Sequence, residues 1–289
     1  MPTVELAAGS IEYDDSGPPP GRGGDAPVIV LLHGLLMDGT VWREVAPGLA
    51  REARVIAPTL PLGAHRLPMR DDADLSLRGM TQLVADFLDA LDLHDATLVL
   101  NDWGGPILLV EMGLDARVGR LVLCACEAFD NFPPGLPGKL AVLISTLGQV
   151  GVALAMPPLR SRRLRRLPPL FGWMSKRPVP EELAQAWFAP TRSRAIRRDM
   201  AKYAGSRFTH AETIAATERL RDFDRPALVV WASEDKLMPR EHGRRLAELL
   251  PQGRLVEVDD SFTLVPLDRP DALLAELRAF VGEGARAAA

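Results

Sequence analysis

The segment that most constrains the fold is a string of five residues from Asn101 to Gly105, which spells Asn-Asp-Trp-Gly-Gly. It follows a short apolar run, Thr97 to Leu100, and leads into a helical pattern, Pro106 to Met112. A strand, a sharp turn and a helix that begins with small residues together expose one side chain on a strained turn above a sheet. Asp102 takes that position, and the surrounding pattern predicts a sheet that is covered by helices.

The same alternation of strand-like and helical segments continues along most of the chain. Strand-like apolar runs, typical of strands buried on both faces, are Val28–Leu32, Val55–Ala57, Thr97–Leu100, Leu121–Ala125, Ala227–Trp231 and Leu255–Val258. Helical patterns include Thr40–Arg51, Leu77–Leu91, Arg240–Leu250 and Pro270–Val281. The alternation predicts an α/β protein with a mostly parallel, doubly covered sheet, whose ligands bind at the carboxyl ends of the strands.

One long segment interrupts this alternation. From about Phe132 to Asp222 the sequence becomes helical and rich in proline, which predicts a core of residues 1–131 and 223–289 and a helical cap of residues 132–222. Its longest apolar stretch, Leu140 to Met156, falls short of the roughly 20 clean residues that span a bilayer, so we expect a helix that covers another part of the protein.

The cap is also the basic part of the chain. A solvated helical surface is the simpler interpretation, and attraction of an anionic substrate or a membrane surface is the alternative. The basic residues are Arg160, Arg162, Arg163, Arg165, Arg166, Lys176, Arg177, Arg192, Arg194, Arg197, Arg198 and Arg207.

Composition excludes several other classes of protein. The chain has 289 residues, a net charge of −4 and a pI near 5.8, so nothing indicates a nucleic-acid partner. The N-terminal sequence has no secretory signal, which favours a cytoplasmic location. Cys124 and Cys126 suit neither a zinc site nor a redox motif, so we expect buried reduced thiols, no metal and no cofactor.

An aspartate at position 102 narrows the chemistry. A carboxylate that displaces a leaving group from an sp³ carbon forms an ester, which water must later cleave. The structural alternative is that Asp102 only caps the following helix, because helix N-termini favour acidic residues.

These motifs resemble those of the α/β-hydrolase family, and within it the haloalkane dehalogenases and soluble epoxide hydrolases. The resemblance rests on Asp-Trp-Gly-Gly at 102–105 and on His33-Gly34 after the first long strand. It implies that Asp102 is the nucleophile and that the backbone N–H groups of Leu35 and Trp103 are the oxyanion donors. Glu127 and Asp235 each match a position that the family uses for its supporting acid, and both remain open.

The usual catalytic histidine of this family is missing. Asp268-Arg269-Pro270 is similar to the acidic signature that follows the histidine by five residues, and counting back five places Thr263 at the position of the base. His65 follows the Val55–Ala57 strand on the active-site side of the sheet, which makes it the candidate for a substitute base. His242 follows Asp235 on a helix, where we expect it to be solvated.

The resemblance therefore predicts a slow or atypical hydrolase of the dehalogenase type, acting on a small apolar substrate. The Trp103 indole would donate to a departing halide, and a second donor would come from Trp173 or Trp187 of the cap. In the epoxide hydrolases that the chain resembles, two lid tyrosines hydrogen-bond the epoxide oxygen. The chain has only Tyr13 and Tyr203, and Tyr13 lies outside the lid, which disfavours epoxide opening. The alternative is a lyase, cyclase or ligand carrier that uses the same pocket, and a homodimer remains open.

Overall fold

The computed structural model describes residues 1–21, 23, 26–206 and 209–287. Its eight strands form one sheet in the order β1-β2-β4-β3-β5-β6-β7-β8. Their bounds are β1 (Thr3–Leu6), β2 (Gly9–Asp15), β3 (Val28–Leu32), β4 (Arg54–Pro58), β5 (Ala96–Asp102), β6 (Val118–Cys126), β7 (Ala227–Ala232) and β8 (Gly253–Val258). Each of the six apolar runs identified in the sequence lies in one of these strands, which confirms the predicted sheet.

The sheet is parallel from β4 to β8, and only the pairs β1–β2 and β2–β4 are antiparallel. β5 lies between β3 and β6, with Val99 opposite Leu31 on one side and Val122 on the other. All seven residues of β5 are buried. Asp102 is its last residue, so the candidate nucleophile lies at the carboxyl edge near the middle of the sheet.

Helices cover both faces of the sheet. Within one strand the side chains alternate between two apolar clusters, Leu98 and Leu100 in one and Val99 in the other, as a period of two requires. The helices are α1 (Ala46–Leu49), α2 (Leu77–Ala90), α3 (Leu108–Glu111), α4 (Gly135–Ser145), α5 (Gly148–Arg160), α6 (Glu181–Phe188), α7 (Arg194–Ala204), α8 (His210–Glu218), α9 (Arg240–Leu249), α10 (Val265–Asp268) and α11 (Pro270–Ala287). The fold class that the sequence predicts is confirmed.

The prediction of one helix over residues 40–51 is wrong. That segment instead forms a 3₁₀ turn, Gly39–Trp42, followed by the single turn of α1. Pro47 lies in the first turn of α1, where a backbone N–H has no partner within the helix, so its absence costs nothing. In the middle of a longer helix the same proline would remove one hydrogen bond.

Helices α4 to α8 and several short 3₁₀ turns fill the segment between β6 and β7, and no strand occurs there within the described residues. Arg207, one of the basic residues of the cap sequence, lies outside the described residues. None of the described helices combines the length and the apolar character needed to cross a membrane.

The apolar stretch from Leu140 to Met156 forms two helices, α4 and α5, and not the single covering helix that we expected. Leu143 is 64 % exposed and Leu154 is 69 % exposed, so much of this apolar surface covers nothing within the described residues. The two cysteines, Cys124 and Cys126, are free and buried, as expected.

Candidate active site

Asp102 lies on a turn of the backbone that strains any residue other than glycine. Its φ is +66°, in the left-handed region that costs most L-residues about 1 kcal/mol or more. The small residue at position 104 makes the turn possible, because a Cβ on Gly104 would lie 2.0 Å from the carbonyl oxygen of Glu127. The structure therefore builds at Asp102 the strand, turn and helix that the sequence predicts.

The Asp102 carboxylate has one oxygen held and one oxygen unpaired. The Leu35 N–H donates to Oδ2 over 3.1 Å, and Oδ1 accepts no hydrogen bond within the described residues. Gly34 passes directly over the group, since a Cβ there would lie 1.9 Å from Oδ2. Asp102 keeps 7 % of its surface exposed, and burial, followed by the charge of Asp235, raises its pKa to about 7.

The second expected oxyanion donor points elsewhere. The Trp103 N–H donates to the carbonyl oxygen of Asn101 over 2.8 Å, so of the two proposed donors only Leu35 contacts the carboxylate. His33 supports this loop from below: its Nδ1 donates to the Gly34 carbonyl over 2.8 Å, and its Nε2 accepts from the Leu60 N–H over 2.8 Å. Burial lowers the pKa of His33 to about 4, which keeps the ring neutral in this tautomer.

Both candidate acids lie at the site. Glu127 Oε2 accepts a 3.3 Å hydrogen bond from the Gly104 N–H, and burial together with the charge of Asp102 raises its pKa well above the usual range. Asp235 Oδ1 accepts from the N–H groups of Leu237 and Met238, while its Oδ2 is buried and has no hydrogen-bond partner among the described residues. Burial raises the pKa of Asp235 to about 6.

Thr263 contacts both Asp235 and Asn101. Its Oγ1 donates to Asp235 Oδ1 over 2.8 Å, and its carbonyl oxygen accepts from Asn101 Nδ2 over 2.7 Å. Asn101 also donates to the Cys124 carbonyl, so this one amide joins the Thr263 loop to the elbow. Asn101 was not among the predicted site residues, although a polar residue in a strand buried on both faces is a signal of such a role.

No histidine forms a hydrogen bond that would let it act as the base at Asp102. His65 shares a 3.2 Å contact with Asp199, and its other nitrogen accepts from the Gly63 N–H over 3.4 Å. His242 is buried, not solvated as expected, because its ring packs edge-on against Phe129. All five histidines of the chain are described, and none forms a hydrogen bond with Asp102, Glu127, Asp235 or Thr263.

The aromatic donors are arranged differently from the expectation. The Trp187 indole donates to Asp38 over 3.1 Å and to Thr40 over 2.9 Å, which uses it within the fold, and Trp173 packs half-buried against the core. Neither contacts Asp102 by a hydrogen bond. The cap residue that does reach the site is Tyr203, which the sequence analysis set aside.

Tyr203 extends from α7 to the ring of Trp103, the residue after Asp102. Burial, then the charges of Glu127 and Asp102, raise the pKa of its hydroxyl well above 10, so it stays protonated. Its ring packs edge-on against Trp103 with 6.3 Å between centroids. The buried indole nitrogen of Trp103 makes no hydrogen bond of standard length, although Tyr203 is close enough for the two to interact. Both side chains lie within the electrostatic reach of the site, since the charges of Glu127 and Asp102 affect the Tyr203 hydroxyl.

The arrangement combines the carboxylate of Asp102 on its left-handed turn, two further buried carboxyl groups, and the aromatic side chains of Trp103 and Tyr203. No group of three or more metal-ligating side chains is arranged to hold an ion within the described residues. Such a site can form a covalent ester at Asp102 and can move protons through Asp235 and Glu127.

Comparison with known proteins agrees with this architecture. A sequence profile of the α/β hydrolase fold family matches residues 27–270. An uncharacterized hydrolase of Bacillus subtilis is 25 % identical over 261 residues, which cover 88 % of this chain and 89 % of that protein. A cis-3-alkyl-4-alkyloxetan-2-one decarboxylase of Xanthomonas campestris pv. campestris is 26 % identical over 290 residues, 94 % of this chain and 92 % of that one.

Among solved structures, an ancestral haloalkane dehalogenase superposes with a TM-score of 0.77 at 20 % identity. The superposition covers 98 % of this chain and 99 % of the dehalogenase. At that identity the likeness concerns the fold, and the match of the family profile covers most of the chain. The chain belongs to the α/β hydrolase fold family.

Proposed function

We propose that this protein is a hydrolase in which Asp102 displaces a leaving group from an sp³ carbon of a small, apolar substrate. The observation that carries the proposal is the geometry of Asp102, which presents an unpaired Oδ1 from a strained elbow while the Leu35 N–H holds Oδ2. A residue that served only as a helix cap would instead accept hydrogen bonds from the backbone of that helix.

In the first step Oδ1 attacks the carbon, and the bond between carbon and leaving group breaks with its electron pair. The departing anion leaves toward the indole N–H of Trp103 and the hydroxyl of Tyr203, two donors that stay protonated near neutral pH. Oδ2 becomes the carbonyl oxygen of the ester. The Leu35 N–H already donates to that oxygen, so it also stabilises the oxyanion when water attacks the ester.

Asp235 is the base that we assign to the second step. Its pKa of about 6 approaches the value of roughly 6.5 for a free imidazole, whereas an ordinary aspartate is near 3.9. A water that donates to Thr263 Oγ1 can pass its proton to that hydroxyl, whose own hydrogen moves to Asp235 Oδ1. The relay needs two proton transfers where an imidazole needs one, so we expect slow hydrolysis.

Formation of the ester changes the surroundings of Glu127. Burial is the larger cause of its raised pKa and the charge of Asp102 is a further one, and alkylation converts that carboxylate into a neutral ester. The pKa of Glu127 then falls, while burial still holds it above the usual range.

A decarboxylating lyase is the second candidate, and Thr263 in place of a base is the observation that favours it. In an oxetan-2-one, Asp102 attacks the sp³ ring carbon that is bonded to the ring oxygen. The bond between that carbon and the oxygen breaks, which leaves a carboxylate on the neighbouring ring carbon. Loss of CO₂ then supplies the electrons of a new C=C bond and expels Asp102. This sequence consumes no water, and one relative is named for such a decarboxylation.

Oxygen-18 water separates the two candidates. After one turnover with a 1-bromoalkane, hydrolysis of the ester leaves heavy oxygen in the Asp102 carboxylate, which mass spectrometry of that peptide detects. A cis-dialkyl oxetan-2-one processed by the lyase route gives alkene and CO₂ with no label in Asp102. The Asp102→Asn variant is the control, and turnover of both substrates by it would refute covalent catalysis.

A further inference from the structure

The large apolar side chains that face solvent are concentrated in one part of the cap. Apart from Met1, all of the exposed large hydrophobic residues within the described residues lie between positions 136 and 167. We call this set the leucine face: Leu136, Leu140, Leu143, Leu147, Val150, Leu154, Leu164 and Leu167. Leu136, Leu140 and Leu143 are spaced by four and three residues and so follow one side of α4, which turns its apolar stripe outward.

The charge of the surrounding sequence has a single sign. Residues 131–180 contain eight lysines and arginines and no aspartate or glutamate, although the whole chain carries −4. Within the described residues, five of the eight have no carboxylate within 4 Å: Lys139, Arg160, Arg162, Arg163 and Arg166. The leucine face is thus bordered by uncompensated positive charge.

A basic cavity lies at one end of the leucine face. It has a volume of about 280 Å³, and the side chains of Arg162, Arg165, Arg166, Lys176 and Arg177 line it. Arg165 is buried and fixed by a 2.6 Å ion pair with Glu181, which gives the cavity a rigid wall. Leu164 and Leu167 alternate in sequence with these arginines, and α4 contacts the turn of residues 168–172 that closes the cavity.

We propose that the leucine face docks on an anionic phospholipid bilayer, with leucines inserted at the acyl boundary and phosphate groups at the arginines. Charge complementarity selects this occupant. A second copy of the chain would bring its own arginines against these, and like charges without acids between them repel. A bilayer surface offers apolar depth and negative charge together, which is what an outward apolar stripe bordered by arginines requires.

The test is sedimentation of the full chain with vesicles of phosphatidylcholine alone or mixed with phosphatidylglycerol, at low and high salt. We expect binding to the anionic vesicles at low salt, weak binding to the neutral ones, and release as salt rises, because salt screens surface charge. The readout does not involve catalysis, so its outcome is independent of the proposed reaction.

Two triple variants separate the apolar and charged contributions. We expect Leu143→Ser with Leu147→Ser and Leu154→Ser, and likewise Arg162→Gln with Arg163→Gln and Arg166→Gln, each to weaken binding by at least about tenfold. The matched control replaces Arg219, Arg221 and Arg244 by Gln; these are similarly exposed arginines outside the leucine face, and binding should stay unchanged. All of these side chains are on the surface, so circular dichroism should show intact folding.

Two results would overturn the proposal. Equal binding by the arginine variant and the control would show that the basic border plays no part. A dimer in light scattering that the leucine variant breaks, together with no vesicle binding by the unmodified chain, would assign the face to self-association.

Discussion

Three buried carboxyl groups with different environments define the chemistry at the scale of single residues. Asp102 and Asp235 have pKa values raised by burial to about 7 and about 6, and Glu127 is raised as well. Asp235 has a lower pKa than Asp102 because three hydrogen bonds to its Oδ1 stabilise the charged form. Environment therefore separates the roles of chemically similar side chains.

The protonation of Asp102 predicts how the first step depends on pH. Only the ionised form attacks, so the single-turnover rate of alkylation by a 1-bromoalkane should rise with pH and level off above about 7. Asp235→Asn removes a negative charge that raises the pKa of Asp102, so the midpoint should move to lower pH. Asp14→Asn, an exposed aspartate of β2, is the control. A rate that does not change with pH would contradict the assignment.

Thr263 predicts the second residue-scale outcome. Thr263→His should raise steady-state halide release by roughly 10²-fold or more, because a positioned general base contributes about 10²–10⁴-fold. Thr263→Val should lower it, since the relay to Asp235 loses its hydroxyl, and Thr263→Ser should retain most of it. If the valine variant hydrolyses the ester as fast as the unmodified protein, water activation does not pass through position 263.

At the scale of elements, α7 brings the cap to the active site. Its residue Tyr203 packs against Trp103, next to Asp102 in the chain, and one turn earlier Asp199 fixes the helix to the core. Asp199 accepts hydrogen bonds from the Met69 N–H over 2.8 Å and from His65 over 3.2 Å. Histidine 65 thus serves the attachment of α7 in this structure, which explains why it does not reach the nucleophile.

Loss of this attachment should be costly. Asp199→Ala leaves a buried backbone N–H and an imidazole without a partner, and we expect a loss of roughly 3–5 kcal/mol in the free energy of unfolding. Asp199→Asn should cost less, because its amide oxygen still accepts from Met69. Urea titration measures both, with the exposed Asp72→Ala as control. A loss no larger than that of the control would show that α7 is held by other contacts.

Acid should weaken the same attachment. Burial by itself would raise the pKa of Asp199, but the hydrogen bonds from His65 and Met69 outweigh it and the pKa is lowered. A lowered carboxyl pKa gives stability that is present above about 4 and disappears as pH falls through the folded-state value.

For the whole molecule, the active site reduces stability near neutral pH. A buried carboxyl group with a raised pKa holds its proton longer in the folded than in the unfolded state. As pH rises from about 4 to about 7, the unfolded chain ionises first, and the folded state loses relative stability over that window. The loss of stability arises because the site keeps these carboxylates out of water.

Removing the nucleophile should therefore stabilise the protein in a pH-dependent way. A shift from 3.8 to about 7 corresponds to at most about 4 kcal/mol, so Asp102→Asn should raise the unfolding free energy by roughly 2–4 kcal/mol at pH 8 and very little at pH 4. Chemical denaturation at the two pH values measures the difference, with Asp14→Asn as the surface control. An equal effect at both pH values would contradict a raised pKa.

The sequence alone predicted the architecture of the core well. A strand that is buried on both faces is a continuous run of apolar residues, so local composition is enough to predict it. The run Val28–Leu32, for example, forms β3 over the same residues. The elbow at Asp102 followed from adjacent residues for the same reason. The assignment of Thr263 to the position of the base, which rests on its spacing to Asp268-Arg269-Pro270, stays a prediction.

Only the tertiary structure decided what surrounds those residues. Asn101 and Thr263 are far apart in the chain yet share a hydrogen bond, and Tyr203 packs against Trp103 from another segment, so neither contact has a local signal. The pKa of Asp235 depends on burial, which the folded chain determines and the residue type does not. Local pattern fixes strands and turns, whereas proximity and exclusion of water, which set the chemistry, arise when distant segments pack together.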